Sequence, residues 1–247
     1  MADERGPAGQ RGLAAGDFGT WLVEMRDALA GRRPATVPCR ECHACCTSSQ
    51  FIHIAPDETA TLARIPATLL FPAPQRPPGH VVMGYDERGH CPMLVDGRCS
   101  IYENRPRTCQ TYDCRIFPAA GVAVPGADQA GIAEQAGRWR FSFPTAADQT
   151  AAEAVQAAAA FLDRHPEIAA PTGRPPNPTA LAVLAVEASP AFLRPDRLAG
   201  VTGMVAEPDP ATVRAELGRR AAAAPGDTAS RRATDRKRPK RRGRRGG

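Results

Sequence analysis

The chain has 247 residues, 25 of them proline and 22 glycine, with only 5% aromatic; its apolar share leans on alanine, which buries little area, and this argues against one large core. The net charge of +6 is local: residues 231–247 hold ten Lys or Arg against one Asp, so the body before them is mildly acidic. No stretch reaches the roughly 20 apolar residues of a membrane span, and the start MADERGPAGQRG lacks the charged-then-apolar order of a secretory signal.

Residues 1–16 read as a flexible leader. Phe18, Trp21, Leu22, Met25 and Leu29 then recur at helical spacing behind Asp17, an N-cap residue type, and predict an amphipathic helix within 17–34. Gly31 and Pro34 end it. Residues 35–120 contain every cysteine. Within them Gln50–Ile54 alternates like a strand, and Pro56-Asp57-Glu58 suits the first turn of a helix reaching Arg64. Leu69–Gly79 is too proline-rich for a regular element. Val81–Tyr85 and Cys91–Val95, joined through Asp86-Glu87-Arg88-Gly89, read as a hairpin. Ser100-Ile101-Tyr102-Glu103 matches a capping box, so a short helical segment should follow Cys99.

Residues 121–224 read as a helical Ala/Pro-rich extension. It holds an Ala-rich helix over 148–164, a helix opened by Asn177-Pro178 and another opened by Asp209-Pro210 that runs to about Ala223. Residues 225–247 form a disordered basic tail by composition. The fold class expected is α+β: a small, irregular, metal-organised domain over 35–120, then the helical extension and the tail.

The eight cysteines are the strong signal. Cys39, Cys42, Cys45 and Cys46 form one cluster; Cys91, Cys99, Cys109 and Cys114 form a second set. Clustering in a cytoplasmic chain, where thiols stay reduced, points to metal ligation rather than disulfides. Two-residue spacers let successive sulfurs face a common centre. Cys39 and Cys42 suit the first pair of a zinc site. Cys39, Cys42 and Cys45 instead match the first three ligands of a bacterial ferredoxin run, but the Cys-Pro that should close it is Cys91-Pro92, far downstream. The cofactor is therefore zinc or iron, the latter as an ion or an iron–sulfur cluster. Adjacent residues Cys45 and Cys46 rarely serve one mononuclear ion, so two centres, or a separate role for one of the pair, stay open.

These residues resemble the CxxCxxCC, or YkgJ-type, cysteine-cluster family. The resemblance rests on Cys39 through Cys46, on Cys91-Pro92-Met93-Leu94, and on Cys99-Ser100-Ile101-Tyr102-Glu103-Asn104-Arg105-Pro106-Arg107-Thr108-Cys109 followed by Cys114. It implies a zinc- or iron-chelating domain of a kind widespread in bacteria, some larger relatives being flagellin lysine methylases. It covers under a third of the chain.

Among other residues, His43 reads as a spacer or as a ligand replacing a cysteine, and His90 as a neighbour of the ligand Cys91. His53 lies on the predicted strand, while His80 and His165 read as surface residues and Tyr102 as core. Arg105 and Arg107 either pair with carboxylates or offset thiolate charge. Three functions remain: a metal-binding module with no assignable reaction; an iron–sulfur enzyme of the methylase kind; and a zinc-stabilised nucleic-acid binder. Neither G-x-G-x-x-G nor C-x3-C-x2-C occurs, so the enzyme reading rests on analogy. The partners expected are a metal ion and, through 231–247, non-specific nucleic acid or an acidic surface; no membrane is expected.

Overall fold

The computed structural model describes residues 12–38, 42–124, 126–170, 176–194 and 204–223. The fold is mixed α+β, helices with several small sheets. Cys39 and the tail expected over 225–247 lie outside the described residues.

Strand β1 (Leu13–Asp17) runs directly into helix α1 (Phe18–Leu29). The part of the expected leader from Leu13 onward is thus a strand. It pairs in parallel with β7 (Trp139–Ser142), an interaction 126 residues away that local pattern does not encode. The pairing shifts register between Ala14 and Gly16, where Gly16 takes a φ of 92°. Helix α1 buries the predicted stripe of Phe18, Trp21, Leu22 and Met25. Asp17 stands at the N-cap but caps nothing with its side chain: Oδ1 accepts from Ser142 Oγ at 2.6 Å. Asp148 supplies the missing acceptor, its Oδ1 taking the Gly19 N–H at 3.0 Å.

In the cysteine segment, β2 (Ile52–Ile54), β3 (Leu70–Pro72) and β4 (Val81–Met83) form an antiparallel sheet with β4 in the middle. Helix α2 (Thr59–Leu62) lies between β2 and β3 in sequence. Two expectations fail here. Leu69–Gly79 does contain a strand, tolerated because β3 is an edge and Pro72 ends it. Val81–Met83 pairs with β2 and β3 rather than with 91–95. The hairpin lies further on: β5 (Leu94–Val95) pairs with β6 (Arg98–Cys99) across Asp96 and Gly97, both at positive φ, as a two-residue Asp-Gly turn requires. Ser100 does not form a capping box; its Oγ donates to Met93 O, and Tyr102–Asn104 is a single 3-10 turn.

Helices α3 (Arg107–Thr111), α4 (Ile116–Ala120) and α5 (Ala130–Arg138) lead to β7. The long helix α6 (Ala146–Arg164) opens on a capping box between Thr145 and Asp148. Short α7 (Pro166–Ala169) follows. Helix α8 (Pro178–Ala188) is capped by Asn177 Oδ1 on Ala180 N, as its Asn-Pro start predicted. The pair β8 (Leu193–Arg194) and β9 (Met204–Val205) precedes α9 (Pro210–Ala223), whose opening N–H groups donate to Asp209.

Two apolar clusters organise these elements. The large one joins α1, α4, α5, α6 and α8 around Phe18, Trp21, Phe117, Phe161 and Phe192. Alanines at the α6–α8 contact (Ala154, Ala158, Ala182, Ala185) are completely buried, and their small side chains let the two helices approach closely. The small cluster holds Ile54, Ile65, Met83, Met93 and Ile101, with Cys91 and Cys99 packed against it. No described helix is long and apolar enough to cross a membrane.

Candidate metal centre

The described segments that carry Cys45 and Cys46, Cys91, Cys99 and Cys109 are held by backbone contacts. Cys45 and Cys46 sit in a 3-10 turn, Ala44–Thr47, whose Ala44 carbonyl accepts from Ser48 Oγ at 2.5 Å and Thr47 Oγ1 at 3.3 Å. The following loop docks on the Cys91 segment. Cys91 N donates to Cys46 O at 2.7 Å and Ser49 N to Gly89 O at 2.9 Å. Asp86 closes the turn before Cys91, its Oδ1 accepting from Arg88 N and His90 N. Cys99 is placed by its cross-strand register with Leu94.

Cys109 lies on α3, and that short helix is tied to the β2–α2 segment at three points. Arg107 N donates to Glu58 Oε2 at 2.6 Å, Arg107 Nη2 to Asp57 Oδ2 at 2.7 Å, and Thr108 Oγ1 to His53 O at 2.7 Å. Asp57 and Glu58, expected in the first turn of a helix, instead anchor α3.

The segments bring four thiols within reach of one another's charge. Burial pushes the Cys109 thiol up to about 12, and the negative charges of Cys45, Cys91 and Cys99 add to the shift. Arg105 opposes it. Cys91 is raised by burial and then by Cys99 and Cys45. Cys45 is raised chiefly by its contact with the neighbouring Cys46 thiol. A set of thiols that repel each other as thiolates is stabilised by a soft cation, and sulfur donors are the ligands zinc and iron take. The residues present therefore fit the metal that the spacing predicted. Among the described residues, no three Cys, His, Asp or Glu side chains already stand in metal-ligating geometry.

Cys114 has a different setting. It is buried in the large apolar cluster, where Sγ accepts from Trp139 Nε1 at 3.2 Å. Its neighbours Asp113 and Arg115 form a buried ion pair at 2.8 Å. Asp113 also accepts from Trp21 Nε1 at 2.9 Å, and Arg115 donates to the carbonyls of Ala15 and Thr36. Cys42 and Cys46 are half-buried free thiols.

The two arginine readings divide between the residues. Arg107 pairs with a carboxylate, whereas Arg105 acts on the Cys109 thiol and lies 4.3 Å over the Tyr102 ring. Tyr102, expected in the core, is exposed. His80, expected at the surface, is buried and shares a 2.9 Å contact with His53 Nε2. Sequence reading missed this pair because neither histidine lies in a motif. It also missed Trp139 and the Asp113–Arg115 pair, since isolated charges are mostly exposed.

No curated protein and no solved structure matches the chain. Residues 38–134 match the model of the CxxCxxCC family, described as a "putative zinc- or iron-chelating domain". That span contains all eight cysteines, and over residues 38–134 the chain carries a CxxCxxCC domain.

Proposed function

We propose that the chain is a metal-binding protein whose eight cysteines hold zinc or iron, the iron as an ion or an iron–sulfur cluster. Cys45, Cys91, Cys99 and Cys109 share one centre. Cys39, Cys42, Cys46 and Cys114 supply the remaining ligands, so the adjacent Cys45 and Cys46 serve different centres. The observation that carries the reading is Cys109: a half-buried thiol on a tethered helix, raised first by its burial and then by the charges of Cys45, Cys91 and Cys99. Zinc bound there would hold the segments together; an iron–sulfur cluster would add one-electron exchange. Arg105 offsets part of the thiolate charge. No disulfide joins the seven described cysteines, which suits a reducing, cytoplasmic setting.

The test is anaerobic purification followed by iron, sulfide and zinc analysis and an absorption spectrum. The reading expects stoichiometric metal, with Cys109→Ser and Cys45→Ser each losing the same centre. Cys46→Ser should lose a different portion of the metal. Metal-free wild type, or a Cys109→Ser variant with unchanged metal content, would sink the proposal.

A further inference from the structure

Cys114 is the buried one among the seven described cysteines, and its neighbours fix it from both sides. Asp113 Oδ1 accepts from Arg115 N at 2.9 Å and Asp113 O from Ile116 N at 3.1 Å, so the residues around Cys114 form the turn that opens α4. Arg115 ties this turn to its surroundings, donating to Ala15 O on β1 at 2.9 Å and to Thr36 O at 2.7 Å. Ala35 N donates to Gln110 O at 2.8 Å. The stretch leading to the first cysteine cluster therefore runs against the segment between Cys109 and Cys114.

Trp139 closes the setting from another element. It is the first residue of β7, where burial alternates with Trp139 inward and Arg140 outward. Its register opposite Leu13 in the parallel pair fixes it there. The indole is 3% exposed, and its N–H donates to Cys114 Sγ at 3.2 Å. A buried indole N–H needs an acceptor. A neutral thiol is a weak one, whereas a metal-bound cysteine sulfur carries negative charge and accepts more strongly. Charge placed on a sulfur inside the large apolar cluster needs a donor beside it, and the indole is already aimed there.

We propose that Trp139 is a positioning residue of the metal centre: its indole N–H holds the Cys114 sulfur in place and stabilises it as a metal-bound thiolate. This role rests on Cys114 being a ligand, as the proposed function has it. Donors to ligand atoms fix the orientation of the ligand and contribute to metal affinity. A side chain that only filled the core would keep the same contact with or without metal.

The test uses the full chain with zinc as the probe, because thiolates select it. The chain has two tryptophans and therefore two indole N–H signals in its proton NMR spectrum, each assigned through its own backbone resonances. When zinc is added to the zinc-free protein, the Trp139 signal moves downfield as its hydrogen bond strengthens. The Trp21 signal, from an N–H bonded to Asp113 Oδ2 at 2.9 Å rather than to a ligand sulfur, moves far less. In competition with a chromogenic chelator, Trp139→Phe holds the zinc of one centre about tenfold or more weakly than wild type. The spectrum of the wild type decides the matter even if that variant does not fold. Cys114→Ser separates the two readings. If it keeps all the zinc of the wild type, Cys114 is not a ligand and the role of Trp139 falls with that assignment. If it loses zinc, but the Trp139 signal does not respond to loading or a folded Trp139→Phe binds zinc as tightly as wild type, the ligand stands and the role of Trp139 alone is overturned.

Discussion

Replacing Asp113 with alanine tests how the large cluster tolerates charge. Asp113 and Arg115 are 3% and 5% exposed. The carboxylate takes five hydrogen bonds: from Arg115 N, twice from Arg115 Nε, from Arg115 Nη2 and from Trp21 Nε1, all between 2.8 and 3.0 Å. Removing it leaves the guanidinium buried with only the carbonyls of Ala15 and Thr36, and it orphans the indole N–H. Leaving one partner of a buried ion pair uncompensated costs about 3–5 kcal/mol. In a chain of this size that lowers Tm by roughly 6–20 °C. The assay is urea unfolding followed by tryptophan fluorescence, which reports on this cluster because both tryptophans, Trp21 and Trp139, are buried in it. Adding Arg115→Met should recover part of the loss, since the stranded charge leaves with its partner. The reasoning is refuted if Asp113→Ala costs under about 1 kcal/mol, or if the two changes are simply additive.

Three other outcomes follow. Gly89 has a φ of 79°, and a side chain there would collide with Ser49 Oγ; Gly89→Ala should cost about 1–3 kcal/mol and lower metal content by displacing Cys91, whereas an unchanged melting curve would show that the turn adapts. The Asp148 carboxylate is held below its ordinary value of 3.8, first by the Thr145 hydroxyl and also by the N–H groups of Thr145 and Gly19. Because its folded value is lowered, its contribution is present above that ordinary value and is lost as pH falls through the folded one; Asp148→Asn should therefore be less stable than wild type at neutral pH, with the gap closing in acid, and parallel Tm–pH curves would contradict this. Stripping the metal with a chelator should expose the amides of Ile52–Ile54 and Val81–Met83 to hydrogen exchange while α6 and α8 stay protected, and uniform loss of protection in both regions would count against a metal-dependent segment.

Elements with local signals were legible in the sequence. Asn177-Pro178 and Asp209-Pro210 opened helices because the cap and the fixed proline φ act within one turn. The stripe from Phe18 gave α1 because one face needs burial. Partner choice was not legible. Alternation in Val81–Met83 announces a strand, but its pairing with Ile52–Ile54 is settled by the shared apolar cluster, not by the nearest run in sequence. The Asp–Gly signal of the hairpin was read at Asp86 and Gly89, whereas the two-residue turn is Asp96-Gly97. For the candidate site, spacing singled out the cysteines, but which thiols act on one another depends on where β6 and α3 are placed. Nothing in the residues around Asp113 distinguishes a buried ion pair from two surface charges.

A metal held as proposed would staple a segment whose own core is small. Five buried apolar side chains make a small core for the β2–β4–β3 sheet and its loops, and small cores ordinarily need a staple such as a metal or a disulfide. The thiols lie where such a staple would act on both clusters. Cys91 and Cys99 pack against the small one, while Cys114 lies inside the large one and Ala44, beside Cys45, packs on its edge. Helix α5 lies on the turn that carries Cys45 and Cys46, with Gly131 beside Ala44. The family match runs past the last cysteine to residue 134, within this helix. An element without a cysteine thus lies partly within the matched span, and it packs on the turn that presents two of them.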